Sequence, residues 1–196
     1  MPRDKRGAIT MHFPRPSLAD EMCDALQGKS FLSDAPNGVF ISAPDPIASS
    51  NFLLNALKPK FQNRGVNVIY VDCSAQPACD FGELLANSIA NASSIHKHKE
   101  IVLSALKHSF TEGLRTINEL THAPIALIID EAHYSLSSVT GMNAMFALKS
   151  ARDQINRPNQ VNLMLVMVSS DHENLSKLVT GNSAPFFGST IKKMAF

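Results

Sequence analysis

Apolar runs, too short for a membrane and too continuous for a surface strand, alternate along this chain with stretches of helical spacing. Val39-Phe40-Ile41-Ser42, Val66 to Asp72, Ile125 to Ile129 and Val161 to Val168 are four such runs. Unbroken Ile, Leu, Val and Ala mark strands covered on both faces, as in parallel sheets flanked by helices. Thr190 to Met194 is expected as a last edge strand. Between the strands, apolar residues recur every three or four positions. Leu18, Met22, Ala25 and Leu26 do so after the N-capping Ser17 and before Gly28. Phe52, Leu53, Ala56, Leu57 and Phe61 predict a second helix ended by Gly65. Asp80 caps a third with Phe81, Leu84, Leu85 and Ile89, and one long helix is expected from about Lys99 to Leu120. Thr140 to Asn156 makes another, and Asp171 caps a short one with Leu175, Leu178 and Val179. Strands alternating with helices predict an α/β doubly wound sheet with right-handed crossovers.

Residues 1 to 16 hold four Arg or Lys and three Pro, and read as an irregular arm. This gives an arm and helix over residues 1–29 and one domain over 30–196. No apolar run approaches the roughly 18 residues of a membrane span. The start, Met1-Pro2-Arg3-Asp4-Lys5-Arg6, lacks the apolar core of a secretory signal, so a cytoplasmic protein without membrane contact is expected. Cys23, Cys73 and Cys79 are an odd, scattered set that suits neither a disulfide framework nor a zinc site. His96 and His98 flank Lys97 at a spacing that could ligate metal, or that belongs to a solvated helix start. A net charge of +1 selects no partner. Lys97, Lys99, Lys107, Arg115 and the basic arm make nucleic acid one conceivable partner, but with no aromatic interleaving or recognition helix evident, solvated helix faces and an irregular tail are the preferred account of them.

The chemistry concentrates where the central run Pro124 to Ile129 ends abruptly in Asp130-Glu131-Ala132-His133. Active sites of open α/β sheets lie off the carboxyl ends of their strands, so both acids face a crevice; alternatively Asp130 only caps a following helix. The stretch resembles a Walker B element in the Asp-Glu form of AAA+ ATPases. The order of elements over roughly residues 30 to 196 resembles the AAA+ core, and Gly38-Val39-Phe40-Ile41-Ser42-Ala43-Pro44 looks like bacterial ATP-binding proteins just before their phosphate loop. The resemblance implies a three-layer P-loop NTPase sheet of five mostly parallel strands. It implies ATP and Mg²⁺ as cofactors if a nucleotide is bound, with Asp130 and Ser50 toward the metal and Glu131 toward the attacking water. Ser169 or Ser170 would touch the terminal phosphate, although strand termination explains these serines as well.

The phosphate loop itself departs from that pattern. Gly-x-x-x-x-Gly-Lys-Ser/Thr is needed because glycines let backbone N–H groups converge on phosphate, Lys reaches the β and γ groups, and the hydroxyl holds Mg²⁺. Here the nucleotide-binding stretch would be Ala43, Pro44, Asp45, Pro46, Ile47, Ala48, Ser49, Ser50 and Asn51. Ala43 and Ala48 replace the glycines, Ser49 replaces Lys, and only Ser50 fits. Pro44 and Pro46 remove two amide donors, and Asp45 adds negative charge. The missing Lys alone costs about ten- to a hundredfold in affinity, since a hydrogen bond to a charged group contributes about 1.5–3 kcal/mol. The family's helical lid would begin where this sequence ends, which fits a piece of a longer protein, a shortened gene or a lidless domain alike. These features predict an AAA+ ATPase-like domain with weak or no ATP hydrolysis, acting as a binding or regulatory module through a protein partner or self-association. The alternative is an active ATPase with an atypical loop.

Overall fold

The computed structural model describes residues 17–29, 38–75, 80–92 and 97–195. The arm expected at residues 1–16, Cys79 and His96 lie outside the described residues. The helices are α1 (Leu18–Leu26), α2 (Pro46–Phe52), α3 (Lys58–Asn63), α4 (Phe81–Ala90), α5 (Lys99–Leu106), α6 (Phe110–Thr121), α7 (Val139–Ile155) and α8 (His172–Ser176). The strands are β1 (Gly38–Ser42), β2 (Asn67–Asp72), β3 (Ile125–Asp130), β4 (Leu163–Ser169) and β5 (Ile191–Lys193). They form one five-stranded sheet in the order β2-β3-β4-β1-β5, parallel throughout. The fourth strand therefore lies between the first and the third, and β5 is the edge strand expected at residues 190 to 194.

Two apolar clusters show the three layers. Ile125, Leu127 and Ile129 of β3 join one cluster with residues of α4, α5, α6 and α7, whereas Ala126 and Ile128 join another with residues of α1 and α3. Alternate side chains of a strand point to opposite faces, so a fully buried β3 is the direct result of helices on both sides. No helix among the described residues is long and apolar enough to cross a membrane.

Three local differences from the sequence reading matter. The long helix expected from Lys99 to Leu120 is two, because Ser109 accepts the Glu112 N–H and starts α6 afresh. Ser109-Phe110-Thr111-Glu112 is a capping-box sequence, the signal that periodicity alone overrides. Ala132–Ser137 forms a 3₁₀ segment that no apolar spacing announces. The helix expected from Phe52 onward begins at Pro46 and continues through a π-helical stretch, Leu53–Leu57, to α3. There the Lys58 N–H bonds the Leu53 carbonyl, one residue before Pro59 breaks the regular ladder.

Helix α1 is tied to α3 by charge. Asp20 pairs with Lys60 at 2.9 Å and with Arg64 at 3.2 Å, and Arg64 also reaches Asp24. The hydrogen bond from Lys60, then that from Ser17, holds the Asp20 carboxyl down at about 2, against an ordinary 3.8. A lowered folded-state value means that the stabilisation is complete above 3.8 and is lost as pH falls through about 2. Amide exchange in α1 is therefore expected to accelerate relative to α6 between pH 5 and pH 2. Equal acceleration in both helices would show that Asp20 does not anchor α1.

Candidate functional site

The carboxyl ends of β1 to β4 bring Ser42, Asp72, Asp130 and Ser169 to one edge of the sheet, with Asp72 opposite Asp130 and Ser42 opposite Ser169 in register. The Ala43 N–H bonds the Ser169 carbonyl at 3.0 Å, which seats the connection after β1 beside the end of β4.

That connection is short. Only Ala43, Pro44 and Asp45 separate β1 from α2, so Pro46 to Ser50 are wound into helix. Asp45 is the N-cap: its Oδ1 accepts the N–H groups of Ile47 and Ala48, each at 3.0 Å. The Ser49 N–H bonds the Asp45 carbonyl at 3.1 Å. Pro at the first helical position and Asp before it are a strong helix start, since the fixed φ is preorganised and the carboxylate satisfies free amides. Sequence reasoning took Asp45 as a repelling charge; its capping role was legible in the Asp-Pro pair.

Asp130 is 1% exposed and accepts three hydrogen bonds. Ser50 Oγ donates at 2.5 Å and the Tyr70 hydroxyl at 2.6 Å, both to Oδ2, and the Glu131 N–H donates to Oδ1 at 3.0 Å. Burial, and then the bond to Asp130, push the Tyr70 phenol well above its usual range, so Tyr70 stays a donor. Tyr70 escaped the sequence reading because its contact spans 60 residues.

Glu131, 5% exposed, stands in the left-handed region at φ 52°, ψ 46°. That conformation costs a non-glycine residue about 1–2 kcal/mol. It turns the side chain toward β4, where Ser170 donates from its N–H at 3.1 Å and from its Oγ at 2.7 Å. His133 Nδ1 lies 3.2 Å from Glu131 Oε2 and 2.9 Å from Ser169 Oγ. The Ser169 hydroxyl donates to the Asp171 carbonyl at 3.0 Å, and a carboxylate only accepts, so Nδ1 carries the hydrogen. Ser, His and Glu meet here, yet they are no hydrolytic triad. Serine and acid share one ring nitrogen, and Ser169 is completely buried. Cys73 is no nucleophile either, because burial first and the charges of Asp72, Asp130 and Glu131 next push its thiol up to about 12.

A cleft of about 450 Å³ opens above these groups, lined by Pro46, Ile47, Ser50, Asn51, Ser74, Glu131, Tyr134 and Ser170. Of the residues singled out in the sequence, Pro46, Ile47, Ser50, Asn51, Glu131 and Ser170 face it. Ala43, Ser49 and Ser169 are buried, and Asp130 is sealed under Ser50 and Tyr70. Pro44, Asp45 and Ala48 do not line it. Ser74, in the turn closed by the Asp72 carboxylate, and Tyr134 were not anticipated. Among the described residues the lining holds no lysine or arginine.

Solved structures share this fold. A Walker-type ATPase of Pyrococcus abyssi superposes with a TM-score of 0.59 at 18% identity, covering 92% of this chain and 54% of that one. The chain has the P-loop NTPase fold. The ORC2 protein of Aeropyrum pernix, solved in ADPNP and ADP complexes, matches with a TM-score of 0.54 at 16% identity over 88% of this chain and 46% of its own. This P-loop fold thus spans about half the length of the structures it matches. No protein-family model matches the sequence, and no curated protein does.

Proposed function

We propose that this chain is an AAA+ ATPase-like domain that does not grip nucleotide through its phosphate loop and acts as a binding or regulatory module. The observation carrying this reading is the Asp45 carboxylate on the Ile47 and Ala48 amides. Phosphate recognition at such a loop needs free, converging N–H groups and a cation. Here the amides are capped by an acid, Ser50 is bonded to Asp130, and among the described residues the cleft lining is uncharged apart from Glu131. Those residues do not fit a triphosphate with Mg²⁺.

Calorimetric titration of the chain with MgATP is expected to give no saturable heat up to about millimolar nucleotide, the range in which binding free energy falls to about −4 kcal/mol. One observation favours the alternative of an active ATPase. Glu131 is aimed and doubly bonded by Ser170 at the floor of an open cleft, the position from which a carboxylate could orient water. Micromolar binding, with hydrolysis abolished by Glu131→Gln, would establish that alternative and end the reading proposed here.

A further inference from the structure

Away from the cleft, a groove of about 530 Å³ runs along the free side of β2, bordered by Lys58, Val68, Tyr70, Leu84, Asn87 and Asn91. Among the described residues β2 pairs with β3 alone. The Asn67 N–H bonds the Pro124 carbonyl and the Cys73 N–H bonds the Asp130 carbonyl, so odd-numbered residues direct their amides to β3. Backbone groups alternate sides along a strand. Val68 and Tyr70 therefore turn their N–H and C=O groups outward, into the groove.

An unpaired edge is a template for a further strand. Two observations select the occupant. First, the groove is walled from both helical layers, by Lys58 on one side of the sheet and by α4 on the other. A lone extended chain fits between these walls, whereas a second copy would bring its own α3 and α4 against them. Second, the groove has one ionic group among the described residues, Lys58. Lys58 makes no ion pair among the described residues, and no carboxylate lines the groove. On the α4 side the Lys99 ammonium adds positive charge, donating to Asn91 Oδ1 at 2.7 Å.

We infer that the β2 edge receives an extended segment of a partner protein, which adds as a sixth strand through Val68 and Tyr70 and places an Asp or Glu against Lys58. Leu84 and Val68 supply apolar contact for the residues that point inward, and Asn87 and Asn91 supply side-chain amides at the rim. Tyr70 connects this groove to the cleft, because the residue that would pair with the incoming strand also donates its hydroxyl to Asp130. The inference does not depend on how nucleotide behaves, and the MgATP result leaves it untouched.

The chain carries two tyrosines and no tryptophan, so in a Tyr134→Phe background Tyr70 is the sole tyrosine emitter. Displayed random octapeptides are selected on the chain, and winners free of Tyr and Trp are synthesised and titrated against that emission. The expected winners alternate apolar residues and carry an acid, and they shift Tyr70 emission saturably. N-methylation of their inward-bonding amides should abolish binding. Lys58→Glu should weaken them about tenfold, and exchanging the peptide acid for Lys should restore binding to that variant, which separates a lost contact from a misfolded protein. No selected peptide with Lys58-dependent, Tyr70-reported binding would overturn the inference. So would a dimer in sedimentation that Val68→Pro disperses, since a second copy would then own the edge.

Discussion

Asp130→Ala is expected to destabilise the protein by about 3–5 kcal/mol in urea unfolding, because a buried donor left without an acceptor costs about 1–3 kcal/mol. Three donors converge on this carboxylate, from Ser50, Tyr70 and the Glu131 backbone. Ser50 lines the cleft and can regain water, Tyr70 is half-buried, and the Glu131 amide belongs to a buried residue. The Glu131 amide matters further, since its bond to Asp130 helps hold a residue in the left-handed region. Asp130→Asn keeps an oxygen for that amide and forces only the two hydroxyls to reorient, so it should recover more than half of the loss. A loss below about 1 kcal/mol for Asp130→Ala, the ordinary effect of a surface change, would mean that Asp130 is a free carboxylate waiting for a metal rather than a structural acceptor.

Gly141→Ala should lower stability by about 2–3 kcal/mol and Tm by about 5–10 °C. In an ordinary helix interior the same change stabilises by about 1 kcal/mol, so the expected sign is reversed. The reason is contact with backbone. A Cβ at Gly141 would lie 1.9 Å from the Ser135 carbonyl oxygen and 2.9 Å from its carbon. Neither atom is the end of a flexible chain, so α7 or the 3₁₀ segment Ala132–Ser137 has to move. That segment carries His133 and Tyr134, which tie the strain to the cleft. Differential scanning calorimetry decides the matter: an unchanged or raised Tm would show that the segment is not packed on α7 as described.

The cleft shows how these local and distant effects combine. Its floor is acidic and held by hydroxyls and amides, and its rim is partly apolar, with Ile47 74% and Tyr134 38% exposed. These features are what the proposed role in contact with another molecule, rather than in retention of a polyanion, rests on. The β2 groove adds a second surface, joined to the first through Tyr70.

Much of this was legible along the chain. The unbroken apolar character of Ile125 to Ile129 requires cover on both faces, and the two clusters that divide its odd and even residues supply that cover. Ser17, Asp80 and Asp171 are caps, as side chains short enough to reach their own following amides must be. Ser109 and Asp45 carry the same signal, and it was overruled by a periodicity that ran past the first and by a motif frame that expected an open loop at the second. What depends on neighbours within a few residues was therefore determined by sequence.

Contacts that close across the fold were not. Ser50 meets Asp130 across 80 positions, Tyr70 meets it across 60, and Ser170 meets Glu131 across 39. No spacing rule relates such residues, because their separation in space is set by which strands lie side by side and where each one stops. Whether Asp130 would be an open ligand or a sealed acceptor, and whether β2 would be an inner strand or an edge, became physical facts only when the sheet took the order β2-β3-β4-β1-β5.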